Sequence, residues 1–460
     1  MSDIIDEIVD YASKKSKYAE ARYIESEVNQ FSMRDGSFQG GSSSRDMGYM
    51  IRVLNNSISI AYSDSQDFNE VKEVIDAAVE SSMRPGKDKL NTESFGTAKW
   101  SVDARKKPAD MSPEEKISVL KQMDSVMEET KCAVRMNHII DAVTRTVYRN
   151  SNGSNIESES TRVAYFYMFG IMDGGNFEQS TGEYGSSSGY EYIESLNLQD
   201  IISDEAKVLR KAATAHRIEP GVMDVVVGPE ISGIVAHESC GHPTEYDRII
   251  GREGALAGES FLKVSNIPYK VGSEHVSVID DPTVKGSFGY YMYDDEGVKA
   301  RKRYLYHKGM TDEFILNRES AAILGKEPNG GGRSSGWDRE PLARMSTTYI
   351  EPGDYTFDDL VSDIKNGVYI KSYTEWNIDD IRFNEKYVGK EAYRIRNGRI
   401  EEVVRRPIIE TTTVKFYSSI DACGNDPKFF GGLCGKGDPE QGVPVWMGGP
   451  HVRLRGMYIK

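Results

Sequence analysis

Pro229–His242, PEISGIVAHESCGH, is the stretch on which the reading of the whole chain turns. Gly228-Pro229 marks a helix start, because proline at the first helical position lacks only an N–H that would have no partner inside the helix. Ile231, Ile234 and Val235 recur at helical spacing, so one face of that helix is predicted to be buried. The far end carries His237, Glu238 and His242, which bring two imidazoles and a carboxylate into six residues.

The spacing is unusual. Zinc-peptidase helices place their histidines at i and i+4, on one face. Here the offset is i to i+5, and at roughly 100° per residue a regular α-helix would set the two rings about 140° apart. Two devices would bring them together. A π-type wide turn realigns i with i+5, or the helix loosens at Gly241, where glycine costs about 1 kcal/mol relative to alanine. The spacing predicts one or the other. The competing reading treats Glu238 and His242 as an ordinary i,i+4 pair on a helix surface.

A catalytic zinc takes three protein ligands and keeps a position for water. Among the remaining histidines, cysteines and acids, Cys434 draws attention, in Gly431-Gly432-Leu433-Cys434-Gly435-Lys436-Gly437. Glycine lets backbone pack close to a site, and Lys436 would favour a thiolate. The bland alternative is a small buried cysteine in a loop.

Further motifs follow: Asp294-Asp295-Glu296-Gly297, Asn329-Gly330-Gly331-Gly332-Arg333, Arg344-Met345-Ser346-Thr347-Thr348-Tyr349 with Pro352-Gly353, Gly424-Asn425-Asp426, and Val443-Pro444-Val445 after Cys434. In order and spacing, this set resembles the TldD/PmbA family over most of residues 220–450, and more loosely before that, around Asp35-Gly36 and Gly48 to Val53. Because the His-Glu motif is intact, it resembles the TldD type and not the metal-free TldE type. The resemblance implies a zinc metallopeptidase acting on peptides or unfolded segments. His237, His242 and Cys434 would be the metal ligands and Glu238 the catalytic base. It also implies a dimer, either with a TldE/PmbA-like subunit or with itself. Two positions depart from the family pattern. Cys240 replaces an aliphatic residue within the motif, and Tyr373-Thr374-Glu375-Trp376 replaces a glycine-rich stretch.

Composition bounds the rest. The 460 residues are 38% hydrophobic and 28% charged, which suits a globular chain of two or three domains. A net charge of −15 disfavours nonspecific nucleic-acid binding and anionic membrane surfaces. Four cysteines are too few for a disulfide framework, which points to a reduced, cytoplasmic setting. The N-terminus is acidic and amphipathic, unlike a signal peptide, and no window is apolar enough to span a membrane.

Along the chain, helices are expected over 3–16, from the Asp67 cap to Met83, after the Ser112-Pro113-Glu114-Glu115 capping box, and over 203–216. Glu20 to Met33, Met47 to Leu54, Ser57 to Tyr62, Ala133 to Tyr148 and Asn155 to Ile171 alternate as strands. Residues 84–100 read as loop, 174–189 as a mobile loop or solvated hairpin, and 251–258 as flexible. Asn329 to Gly336 is taken as too loose for core. A helix is expected from Thr356 to Gly367, and a strand from Thr411 to Ser418. Helices and hairpins segregate, so the fold is read as α+β. An N-terminal α+β domain with antiparallel sheets occupies 1–220, with a sub-boundary near 85–110. A mostly antiparallel β domain carrying the motif helix occupies 221–460. Arg333, Arg344 and Tyr349 are candidates for substrate binding, and Glu245, Asp247 or Asp294 for orienting a histidine ligand. The competing function is a non-catalytic scaffold with a structural zinc, which a fourth ligand from Cys240 or His451 would favour. A weaker one is a metal hydrolase acting on another bond.

Overall fold

The computed structural model describes residues 2–253 and 258–460, so four residues of the glycine-rich stretch at 251–258 lie outside the described residues. A seven-stranded sheet spans the N-terminal half. Its order is Ile58–Ser63, Ser37–Leu54, Tyr18–Arg34, Val134–Asn150 and Asn155–Asp173. Thr97–Ser101 joins that last strand in parallel and Asn176–Ser186 joins it antiparallel. Asp35 and Gly36, both at positive φ, make the tight turn that the Asp-Gly pair announces.

Side-chain alternation gives this sheet two buried faces. Ala19, Ala21 and Tyr23 pack with Ile5 and Ile8 of Ser2–Ser13 and with Val71 and Ile75 of Phe68–Ser82. Val163, Tyr165, Tyr167 and Phe169 pack against Leu120 and Met127 of Pro113–Glu129 and Ile202 of Leu198–Thr214. The intervening residues face the C-terminal half. Glu20 pairs there with Arg318, Arg52 with Glu296, and Arg22 donates to the carbonyls of Gly336 and Arg339.

The C-terminal half holds a nine-stranded and a six-stranded sheet, plus a two-stranded ribbon. Pairing is antiparallel except for Gly221–Val227 beside Asn366–Ile370 and Thr347–Ile350 beside Gln441–Gly449. The architecture is α+β with mostly antiparallel sheets, as expected.

Several local expectations need correction. Thr97–Ser101 is a strand, not loop; of the two alternatives for 174–189, the hairpin is the one adopted, with residues 176–186 as its second arm. The Thr411 to Ser418 run is β-branched at its start, yet Thr413–Ser419 is a helix, because the Thr412 side chain accepts from the Lys415 N–H and caps it. The helix expected to reach Gly367 ends at Ser362, with Gly367 already in the Asn366–Ile370 strand. Asn329 and Arg333 are buried, so their glycine-rich segment is core after all: Gly331 and Gly332 lie where a Cβ would strike Ile315 and Glu296.

Candidate metal centre

The strand Gly221–Val227 feeds directly into the helix Pro229–Ala236, with Gly228 N–H donating to Ile370 O at 2.8 Å. Ile231, Ile234 and Val235 are buried as their spacing required. At Gly233 the helix lies against the Gln441–Gly449 strand so closely that a Cβ would fall 2.8 Å from Gly448 N.

The next turn is π-helical over His237–Gly241, and the His242 N–H donates to His237 O. Of the two devices the spacing allowed, the chain uses the wide turn. The rings of His237 and His242 stand 4.9 Å apart between centroids, inclined at 81°. Gly241 does not loosen the helix, which continues over His242–Thr244. It is needed for packing, since a Cβ would fall 1.6 Å from Met345 Sδ, and Met345 is fully buried. Gly241→Ala is therefore expected to cost about 1–3 kcal/mol through overpacking and to reduce metal retention by shifting the π turn. Urea unfolding together with metal content checks this.

Cys434 enters from the strand Lys428–Lys436, opposite Val443. Its Sγ lies 3.5 Å from His242 Nε2, and the ligand atoms of His237, His242 and Cys434 all lie within 4.8 Å of one another. All three residues are buried. Burial, the largest influence on both imidazoles, lowers their pKa and favours the neutral form that a metal requires. Burial alone would push the Cys434 thiol up; His242 and Arg344 outweigh it and bring the thiol down to about 7. His237 Nδ1 is buried with no hydrogen-bond partner. An orphaned imidazole nitrogen, a second imidazole and a readily ionised thiol form a donor set that fits zinc.

Around the cluster, Glu245 Oε2 lies 3.1 Å from His242 Nδ1, leaving Nε2 to face the sulfur. Arg248 and Lys436 hold the same carboxylate from the other side, at 2.7 and 3.2 Å. Burial opposes its ionisation, but Lys436, His242 and Arg248 keep its pKa well below the usual carboxylate range. Of the three acids considered for orienting a ligand, Glu245 is thus the one at His242. Asp247 binds Lys436, and Asp294 accepts from the backbone of Glu296, Val298 and Gly332. Lys436 is not the cation at the sulfur, because its ammonium is taken up by Asp247, Glu245 and Ala343 O.

Glu238 lies in the same cleft, its Oε2 paired with the Arg382 guanidinium. The cleft encloses about 410 Å³. His237, Glu238, His242 and Cys434 line it together with Tyr184 and Glu205 from the N-terminal half and Tyr373 and Trp376 from the unusual stretch.

The three proposed substrate-binding residues are placed elsewhere. Arg344 is fully buried behind the cluster and donates to the carbonyls of Cys434 and Gln441. Arg333 donates to Met345 O and Pro444 O and borders a separate cavity between the two halves. Tyr349 packs edge-on against Phe429. Neither proposed fourth ligand joins the cluster: Cys240 is fully buried in the hydrophobic core, and His451 bridges Asp426 and Tyr369 at 2.6 and 2.8 Å. Sequence reasoning missed Arg382 altogether. Nothing in Asp379-Asp380-Ile381-Arg382 marks it, because its partner lies 144 positions earlier.

Sequence models of the PmbA/TldA metallopeptidases match along the chain: domain 1 at residues 19–82, the central domain at 106–215 and the C-terminal domain at 220–460. A protein of Methanothermobacter thermautotrophicus named "Metalloprotease" is 31% identical, over 100% of this chain and 98% of its own. One of Saccharolobus solfataricus named "Zinc metalloprotease TldD homolog" is 25% identical, over 90% of each. The crystal structure of TldE from Thermococcus kodakarensis has the same fold, with a TM-score of 0.77, 16% identity and 99% of both chains covered.

Proposed function

The chain belongs to the PmbA/TldD metallopeptidase family, and on that premise we propose that it is a zinc-dependent peptidase hydrolysing peptide bonds in peptides or unfolded segments. One observation carries the reading. Two imidazoles and a thiol converge at a cleft that also holds Glu238, and among the described residues no fourth ligand-type side chain joins them. A structural zinc site would be closed by four protein ligands.

His237, His242 and Cys434 would hold the zinc, which when bound lowers the pKa of water and polarises a carbonyl. Glu238 takes the proton of the attacking water on its carboxylate and returns it to the leaving amine. Glu245 fixes the His242 tautomer by accepting from Nδ1. Arg344, bonded to Cys434 O, holds the strand that presents the sulfur. Tyr184 and Glu205 extend the cleft into the N-terminal half, so a substrate would touch both halves.

The partner follows the same reading: a TldE/PmbA-like subunit, whose fold this chain shares, or a second copy of itself. The setting we propose is the cytoplasm; the four cysteines are unpaired thiols, and among the described residues no helix is long and apolar enough to cross a membrane.

The test is metal content beside hydrolysis of an unfolded polypeptide, with the partner subunit supplied. Zinc near one per chain is expected, with activity lost on chelation and restored by one equivalent of zinc. Full zinc with no hydrolysis would favour the scaffold reading.

A further inference from the structure

A cavity of about 470 Å³ lies between the N-terminal sheet and the C-terminal half, within the size range of ligand sites. Thr144, Ser158 and Ser160 of the sheet and Ser334 of the other half line it with hydroxyls. Phe166, Phe288 and Trp337 add apolar wall.

Two guanidiniums line the cavity, Arg162 and Arg333, and a third, Arg22, lies behind Gly336. Arg22 and Arg333 are buried and Arg162 is half-buried. Among the described residues their hydrogen bonds run to neutral oxygens. Arg162 donates to Phe288 O and Ser160 Oγ at 3.0 Å and to Tyr290 O at 3.3 Å. Arg333 donates to Met345 O and Pro444 O, and Arg22 to Gly336 O and Arg339 O. These bonds take three of the five N–H donors of Arg162 and two of the five of Arg333. The acids lining the cavity are engaged otherwise. Asp294 accepts from the backbone of Glu296, Val298 and Gly332, Asp295 Oδ2 accepts from Ser334, and Asp46 is exposed. Burial pushes the pKa of all three arginines down, that of Arg162 to about 10, and the attraction of Asp295 does not offset it. At Arg52, Arg303 and Arg318 burial acts in the same direction, but paired carboxylates outweigh it and raise the pKa. The cavity thus concentrates positive charge in a chain whose net charge is −15.

Its position links it to the metal centre. Leu433, 57% exposed, lines both this cavity and the metal cleft. It precedes Cys434 in the Lys428–Lys436 strand, so the two side chains point to opposite sides. It also pairs with Pro444, whose carbonyl Arg333 holds at 2.8 Å. The charged cavity begins one strand's thickness from the metal ligands.

We propose that this cavity is the subsite for the C-terminal end of the substrate, with Arg162 and Arg333 receiving its terminal carboxylate. The inference rests on the peptidase reading of the metal cleft. A carboxylate offers two oxygens in one plane, which match the planar fork of a guanidinium. The hydroxyls donate to the same anion or to peptide carbonyls, and the aromatic wall receives the last side chain. Anchoring the terminus here directs cleavage to bonds near it, so the products are short C-terminal fragments.

The test measures peptide binding by calorimetry on the zinc-loaded full chain with its partner subunit, carrying Glu238→Gln so that the peptide survives. An acetylated hexapeptide ending in a free carboxylate is compared with the same peptide ending in an amide. The acid is expected to bind about 10- to 100-fold tighter, the worth of hydrogen bonds to a charged group. Adding Arg162→Gln should abolish that preference while the affinity for the amide and the zinc content hold, and Arg162→Lys should keep part of it. Equal binding of acid and amide before any change at Arg162 would overturn the proposal, whether or not the variants fold. Weakening of both peptides alike by Arg162→Gln would overturn the assignment of Arg162 in favour of a structural role. An amide with aspartate as its last residue that binds as tightly as the acid would overturn the C-terminal assignment in favour of an acidic side chain. With Glu238 intact, mass spectrometry should show short C-terminal fragments released from the acid at least 10-fold faster than from the amide. A protein that prefers the acid yet hydrolyses nothing would instead sink the peptidase reading and leave the carboxylate subsite standing.

Discussion

Glu238→Gln is expected to lower kcat for peptide hydrolysis by about 10²- to 10⁴-fold, the range of a lost general base, while zinc content stays at the wild-type level. Glutamine keeps the shape of the side chain and can still accept from Arg382, but it has no carboxylate to take a proton from water. Cys434→Ser should separate the two functions in the opposite sense. Its hydroxyl would not ionise as the thiol does at about 7, so metal is lost first and activity with it. Measuring zinc by mass spectrometry and kcat on the same samples decides the assignment. Retention of zinc by Cys434→Ser would remove that residue from the ligand set, and full activity in Glu238→Gln would move the base elsewhere.

The second large effect concerns stability. Glu20 is fully buried between the halves of the molecule, where Arg318 and Arg52 pair with it and Tyr18 and Tyr148 donate to it at 2.6 and 2.8 Å. Replacing it by alanine strands two buried guanidiniums, with only Glu296 left beside Arg52. A loss of about 3–5 kcal/mol is expected, because breaking a buried pair leaves an uncompensated charge.

The pH dependence gives this assignment a signature. Burial would raise the Glu20 pKa, but Arg318 and then Arg52 outweigh it and hold the group at about 2, against 4.5 for an ordinary glutamate. A depressed folded pKa means the unfolded chain binds the proton more readily. The contribution is therefore complete above about pH 4.5 and lost as pH falls towards 2; a shift of this size corresponds to about 3 kcal/mol. Urea midpoints of wild type and Glu20→Gln, measured from pH 7 down to 3, should converge as the pH falls. Parallel curves would show that Glu20 does not carry the acid sensitivity.

The same network explains what was hidden in the sequence. In Tyr18 to Tyr23, alternation marks a strand, and Ala19, Ala21 and Tyr23 mark its core face. Glu20 and Arg22 look like a solvated face, yet both are buried. Their partners, Arg318 and the carbonyls of Gly336 and Arg339, lie about 300 positions away, beyond any local pattern. The strand Thr97–Ser101 was missed for a similar reason: it pairs along only one edge with residues 155–159, and the Pro85-Gly86 turn signal before it suggested continuous loop.

The metal centre divides along the same line. By itself, the sequence determined the motif helix, its proline start, its buried face, and the need for a wide or broken turn between His237 and His242. These follow from spacing within a few residues, and helical geometry converts spacing into direction. Only the tertiary structure decided that the turn is π-helical and not loosened at Gly241, since the packing of Met345 leaves no room for a side chain there. It also selected Glu245 from three carboxylates, separated Arg333 and Tyr349 from the cleft, and brought in Arg382, Tyr184 and Glu205. Charge partners and cleft walls meet through strand pairing across the whole chain, and no short-range periodicity encodes which distant side chains share a buried space.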